Sequence, residues 1–211
     1  MLTPMQRTRK RGSYHDGDLR PVLVEAAAEL VRAKGVEGIG MREVARHAGV
    51  SPGAPYHHFQ DRAALYAAVA TRGFEMLEAE LWGAVSSSRS VSQRMRRSVE
   101  AYVRFSHTHR GYFQLMFRPE LYGAEQNPSV REAGDRAFGV LTDAVLTPSS
   151  VSVLTPVLLW ALGHGLASLW ADGALARRAA VLDRTQDELV AEVCEAFDRL
   201  LRDGFTGGGR G

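Results

Sequence analysis

The chain has 211 residues, 45% of them hydrophobic, and a formal charge of only +2. That length suits one medium domain or two small ones with a real hydrophobic core, and affinity for nucleic acid cannot come from gross excess charge, only from its placement. The single cysteine, Cys194, excludes an intramolecular disulfide, and no zinc spacing surrounds it.

Residues 1–14 are polar and basic, with Arg7, Arg9, Lys10 and Arg11 clustered, and are expected to be disordered. The cluster fits an arm in a minor groove or a solubilising tail. No apolar run follows these arginines, so no secretory signal is expected; with the unpaired cysteine this favours a reducing, cytoplasmic setting. Residues 1–62 hold ten Lys/Arg against seven Asp/Glu, a small surplus of the sign that phosphate contact needs.

From about Gly17 to Lys34 the spacing predicts an amphipathic helix with Leu19, Leu23, Ala26, Ala27 and Leu30 inward, ended by Gly35. A second, shorter helix carries its apolar stripe at Met41, Val44, Ala45 and Ala48. Gly49 supplies the left-handed backbone that a helix end commonly needs, and Val50 turns back toward the core. Ser51 suits the cap of a following helix and Pro52 its first position. Two short helices joined by a tight glycine turn make a helix-turn-helix, the unit that places its second helix in the DNA major groove. That second helix is unusual, because Gly53 and Pro55 lie inside it and Pro55 removes an amide that should bond back to Ser51. A loop is the competing reading.

Asp61 then caps a long helix through Leu65, Val69, Met76, Leu77 and Leu81. Beyond Ser86-Ser87-Ser88, Ser90 and Gln93 form a capping box for a helix with Met95, Val99, Tyr102, Val103 and Ser106 on one side. Gly111 is expected to break it, ahead of a short Tyr112 to Phe117 segment and Pro119. Asn127-Pro128 start another helix, with Val130, Ala137, Phe138, Leu141 and Val145 in register. Residues 144–171 contain no Asp, Glu, Lys or Arg, which invites a membrane reading. Pro148, Ser149, Ser150, Ser152, Thr155 and Pro156 interrupt the first half, so a helix buried on several faces inside a dimer is the better reading, with no membrane partner. Thr185 and Glu188 make a second capping box for a last helix carrying Leu189, Val193, Phe197 and Leu200, and Gly204 with the glycine-rich tail ends the fold. No strand pattern is present.

The stretch Tyr56-His57-His58-Phe59-Gln60-Asp61-Arg62 to Leu65 resembles the end of the recognition helix in TetR-family transcriptional regulators, where Tyr-x-His-Phe precedes an acidic-basic pair and a leucine. The match runs from about Leu19 to Leu65. Trp160-Ala-Leu-Gly-His-Gly-Leu166 is similar to the signature of the WHG class of C-terminal ligand-binding domain in that family. The resemblance implies an all-α homodimer with a three-helix DNA-binding domain at 15–62, a helical bundle for ligand sensing and dimerisation at 63–204, a basic arm at 1–14 and a flexible tail at 205–211. Its partners would be double-stranded operator DNA and a small-molecule effector, with no cofactor and no metal.

Within that frame Tyr56 and His58 would contact backbone phosphates, as would Arg62 together with the N-terminal amides of its helix. Ala54, Pro55 and His57 are placed for base edges, the first two against a thymine methyl and His57 on a purine acceptor. Arg42 would reach phosphate or guanine, and Ser51 belongs to the same surface. Tyr102, Phe105, Phe113, Met116, Phe117, Trp160 and Trp170 fall in segments that would surround a pocket, although such residues at helical spacing serve equally as core. His164, among apolar neighbours, either bonds a ligand or ties two helices together. The implied function is a repressor released from a palindromic operator by a ligand; an activator of the same architecture also fits. An enzyme using His164 as general base would have only Ser168 nearby and no paired carboxylate. His107 and His109 point to different helix faces, which argues against a shared metal.

Overall fold

The computed structural model describes residues 19–123, 125–145 and 154–206. The basic arm at 1–14, the residues from 15 to 18, the Pro148-Ser149 loop and the tail from 207 lie outside the described residues. Ten α-helices and one 3₁₀ helix, with no strand, make up the regular structure among the described residues.

The head is built as its apolar spacing requires. Helix α1 (Leu19–Lys34) buries Leu19, Leu23, Ala26, Ala27 and Leu30, and α2 (Met41–His47) buries Met41, Val44 and Ala45. Gly49 has φ +73°, and the Val50 amide donates to the Ala45 carbonyl at 2.9 Å, closing the end of α2. The second helix of the motif does not begin at Pro52. It is one 3₁₀ helix, Ala54–His57, with Gly53 at its start and no capping bond from Ser51. Pro55 is the reason, since without its amide no α-turn closes on Ser51. The ladder tightens instead: Tyr56 N–H donates to the Gly53 carbonyl and His58 N–H to the Pro55 carbonyl, both at 3.1 Å.

Three caps foreseen from side-chain chemistry are present. Asp61 Oδ1 accepts the Ala64 amide at 2.8 Å and opens α3 (Arg62–Ser86), whose 25 residues make the spine of the molecule. Ser90 accepts the Gln93 amide while Gln93 reaches back to the Arg89 amide, opening α4 (Val91–Thr108). The reciprocal bonds of Thr185 and Glu188 open α10 (Gln186–Thr206). Between them lie α5 (Arg110–Met116), α6 (Pro119–Tyr122), α7 (Pro128–Val145), α8 (Thr155–Ala171) and α9 (Ala174–Val181). Helix α3 packs against α7, α4 and α5; α8 and α10 both lie on α4; α1 joins the head to the body through α3 and α5.

Two sequence expectations are corrected here. Gly111 does not break a helix, because α4 ends at Thr108 and Gly111 sits inside α5. A Cβ there would overlap the Ala28 carbonyl of α1, so the glycine allows backbone to touch backbone. Leu200, on the apolar stripe of α10, is 71% exposed. Gly204 does not end the last helix, which runs on to Thr206. The short helices α6 and α9 had no clear periodic signal; α9 buries only Leu175 and Ala179. No helix among the described residues is long and apolar enough to cross a membrane.

Candidate DNA-reading surface and interior cavity

The outer edge of the head is set by what is pinned beneath it. Phe59 is buried, Pro55 is buried, and Ala54 is half-buried against the core. With these side chains turned inward, Tyr56 stands 54% exposed and His57 is exposed beside it, while His58 is half-exposed. Burial withdraws Pro55 from the row expected to meet base edges. Arg42 and Ser51 are exposed on the same motif, and Arg42 makes no ion pair among the described residues. Arg62 at the start of α3 lies with its guanidinium 5.7 Å from the centroid of the Tyr66 ring and is otherwise free to reach outward.

Sequence reasoning missed Arg20, which donates to the His58 carbonyl at 2.9 Å and lies over the Phe59 ring at 4.5 Å. One cation thereby fixes the end of the 3₁₀ helix to α1. Helix α2 is held to α1 by the Glu43–Lys34 pair and by His47 with Glu29 at 2.7 Å. The Lys34 bond keeps the Glu43 carboxyl below the usual carboxylate range. Tyr66 ties the α1–α2 loop to α3 by donating to the Val36 carbonyl at 2.9 Å, and burial pushes its phenol up. These ties make the surface a rigid platform rather than a set of independent side chains.

A cavity of about 320 Å³ opens between α3, α4, α7 and α8. Of the residues expected at a ligand site, Tyr102, Phe117 and Trp160 line it. Phe105 and Met116 do not; both are fully buried core. Phe113 stands behind the wall, edge-on to Tyr102 at 5.9 Å and to Phe117 at 5.3 Å. His164 stands there too, its ring 4.7 Å from Phe117, and Nδ1 is 3.1 Å from the Tyr102 hydroxyl. This bond ties α4 to α8. Gly163 gives it room, since a Cβ there would lie 3.3 Å from the Tyr102 ring. Burial lowers the His164 imidazole from its ordinary value and raises the Tyr102 phenol, so both stay neutral near pH 7. Phe74, Phe138 and Asp135 also line the cavity, and none was singled out beforehand as a site residue.

The other polar residues have different employment. Ser168 donates to the His164 carbonyl at 2.9 Å rather than to its ring. His107 stacks on Trp170 at 4.4 Å, and His109 bonds Glu80 at 3.1 Å. No group of His, Cys, Asp and Glu among the described residues is placed to hold a metal. Cys194 is buried, and burial pushes its thiol up to about 12. A larger groove of about 720 Å³ runs along the head–body seam, with Arg20, Glu25, Arg72 and Glu75 giving it mixed charge. It collects no aromatic cluster like that of the smaller cavity.

Residues 23–69 match the family model described as bacterial regulatory proteins, tetR family, and residues 95–197 match a Tetracyclin repressor-like C-terminal domain. The chain belongs to the TetR family. Among its relatives is the HTH-type transcriptional activator FasR of Mycolicibacterium smegmatis, 35% identical over 127 residues that make up 60% of this chain and 56% of that protein. The chain thus spans little more than half the length of that curated relative. A Rhodococcus sp. RHA1 protein of unknown function has a similar structure, with TM-score 0.73 and 32% identity over 90% of this chain and 99% of the other. The fatty acid degradation regulator FadR of Bacillus halodurans shares the fold at TM-score 0.65 and 13% identity, over 96% and 99% of the two chains.

In this TetR-family member the N-terminal match covers α1 from Leu23 onward, α2, the 3₁₀ helix and the start of α3, and the C-terminal match covers the walls of the cavity other than the one given by α3. Arg20 falls just before the first of these, and spacing along the chain does not reveal it because the carbonyl it meets, that of His58, lies 38 residues on.

Proposed function

We propose that this protein is a homodimeric transcriptional repressor that binds a palindromic operator and leaves it when a small molecule enters the cavity. One observation carries the reading. Tyr56 and His57 stand outward on a turn whose buried underside is Pro55 and Phe59, flanked by the unpaired Arg42 and by Arg62. Tyr56, His58 and Arg62 take phosphates, and His57 reads a base edge.

An exposed apolar strip supports dimerisation. Val157, Leu158, Ala161 and Leu169 lie outward along α8, and Leu200 lies outward on α10. Two such pairs crossing about a twofold axis bury the strip as four helices. The two recognition segments must then lie about 34–36 Å apart, or a multiple of it, for both half-sites to be read on one face of DNA. A ligand between α3, α4, α7 and α8 moves α3 and changes that separation, so binding at one site weakens binding at the other. The relative FasR is named an activator, which supports the opposite polarity as a second reading. Operator position relative to the promoter decides between them.

The experiment is a titration of Tyr56→Phe, Arg62→Ala and His57→Ala against operator and scrambled DNA at two salt concentrations. Loss of Tyr56 or Arg62 weakens binding to both DNAs, by about tenfold for one lost charged hydrogen bond. Loss of Arg62 also lowers the salt slope by about one. Loss of His57 relaxes preference at one operator position and leaves scrambled DNA unaffected. Equal losses from all three on both DNAs would reject the division of roles.

A further inference from the structure

We propose that the cavity selects an organic cation with a flat aromatic body, held by face contact with its rings and by the carboxylate of Asp135; this rests on the ligand-sensing reading above. Five of the eleven residues lining the cavity are aromatic: Phe74, Tyr102, Phe117, Phe138 and Trp160. They stand as two edge-to-face pairs, Phe74 with Phe117 at 5.5 Å and Phe138 with Trp160 at 6.1 Å. In an edge-to-face pair the ring that offers its edge keeps its faces uncovered by its partner, and an electron-rich face attracts a cation.

The charge pattern points the same way. Asp135 is the one charged residue in the lining, and no Lys, Arg or His joins it. It makes no hydrogen bond or ion pair among the described residues. Its chain neighbour Arg136 is turned to Glu78 at 3.2 Å, and Arg131, one turn earlier on α7, is exposed and unpaired with it. The imidazole behind the wall, His164, adds no opposing charge at neutral pH, because burial disfavours its protonated form. A ligand with a carboxylate or phosphate would find no cation to receive it here and would meet Asp135 instead. At about 320 Å³ the cavity lies at the small end of ligand sites and takes a fused bicycle with short substituents.

Three compounds of one shape separate the possibilities: 1-methylquinolinium, 1-methylnaphthalene and 1-naphthoate, titrated calorimetrically into the full-length protein at pH 7.5. The expected order is cation tightest, neutral compound about tenfold weaker, anion weakest. Asp135→Asn, at an exposed position without partners, should weaken the cation several-fold, leaving it between its wild-type affinity and that of the neutral compound because the ring faces remain, and leave the neutral compound unchanged. Equal binding of cation and neutral compound, or a cation affinity indifferent to Asp135→Asn, overturns the charge assignment while the cavity reading stands. Binding by none of the three overturns the cavity as a ligand site, and this proposal with it.

Discussion

The seam between α1 and α5 and the cavity between α3, α4, α7 and α8 are built on opposite terms. At the seam, Gly111 brings backbone against the Ala28 carbonyl, and Tyr112 donates to Glu25 at 2.7 Å across the same join. At the cavity, side chains meet side chains: rings edge-on, one phenol, one imidazole, and space left over. Backbone cannot yield without moving a helix, whereas rings adjust by rotation. Helix α5 belongs to both regions, since Gly111 and Tyr112 face α1 while Phe117, the residue that ends it, lines the cavity. A soft chamber and a stiff join on one short helix are what a sensor needs if a small shift inside is to reach the head undamped.

The strongest way to break this contrast is Gly111→Ala. An added methyl would overlap a main-chain carbonyl that only a shift of α1 or α5 can clear. The expected loss is about 3 kcal/mol in urea denaturation, at the upper end of overpacking effects. A loss below about 1 kcal/mol would show the seam to be as yielding as the cavity.

Two tyrosines sharpen the comparison next. Tyr102→Phe removes the hydroxyl that meets His164 and leaves a half-buried imidazole nitrogen without that partner. The cost should be about 1–2 kcal/mol. Tyr112→Phe removes an equally good bond, but the abandoned Glu25 is exposed and water takes the vacant place. That variant should lose about 0.5 kcal/mol. Parallel denaturation curves test the order, and a larger loss at Tyr112 would mean that the seam depends on its hydrogen bond rather than on backbone contact.

The His164 imidazole predicts the direction of a pH effect. Burial holds it below its ordinary value of 6.5, so below that pH the unfolded chain takes up a proton that the folded chain refuses. Its contribution to stability is therefore complete above the unfolded value, falls as pH drops, and levels off once the folded value is passed. Denaturation of wild type and His164→Gln between pH 7.5 and 5 isolates this share: the wild type should lose more stability on acidification than the variant. Equal losses would place the imidazole in contact with water.

What was legible in the sequence follows the range of the interaction. Asp61, the Ser90–Gln93 box and the Thr185–Glu188 box act on amides three or four residues away, so spacing alone revealed them. Pro55 announced its conflict with an α-turn, and the 3₁₀ helix is the outcome of it. Gly111 was misread as a breaker because its partner, Ala28, lies far back in the chain. The cavity was half legible for a related reason: apolar side chains that face a void and those that face packed neighbours recur at the same spacing. Hence Tyr102, Phe117 and Trp160 were found together with Phe105 and Met116, which are ordinary core, while Phe74 and Phe138 were passed over as site residues. Asp135, on the hydrophilic face of α7, looked like any solvated carboxylate. Leu200 shows the same limit, since the apolar stripe of a helix cannot say whether its own chain or a second copy covers it.

An effect no larger than that of Tyr112→Phe, and of opposite sign, is expected at Gly139, next to Phe138 on the α7 wall of the cavity. A Cβ there would meet nothing within 4 Å, in contrast with Gly111, and the residue lies inside a helix of 18 residues. Glycine within a helix leaves the unfolded chain more freedom than alanine does, so Gly139→Ala should stabilise by about 0.5 kcal/mol. The pair of substitutions thus isolates contact from conformational entropy: one chemical change, opposite signs, decided by whether a carbonyl stands opposite. Thermal melts at several protein concentrations are the measurement. A loss at Gly139 that grows on dilution would mean that the open space beside it is filled by a second copy in the assembled protein, placing this part of α7 at the dimer contact beside α8 and α10.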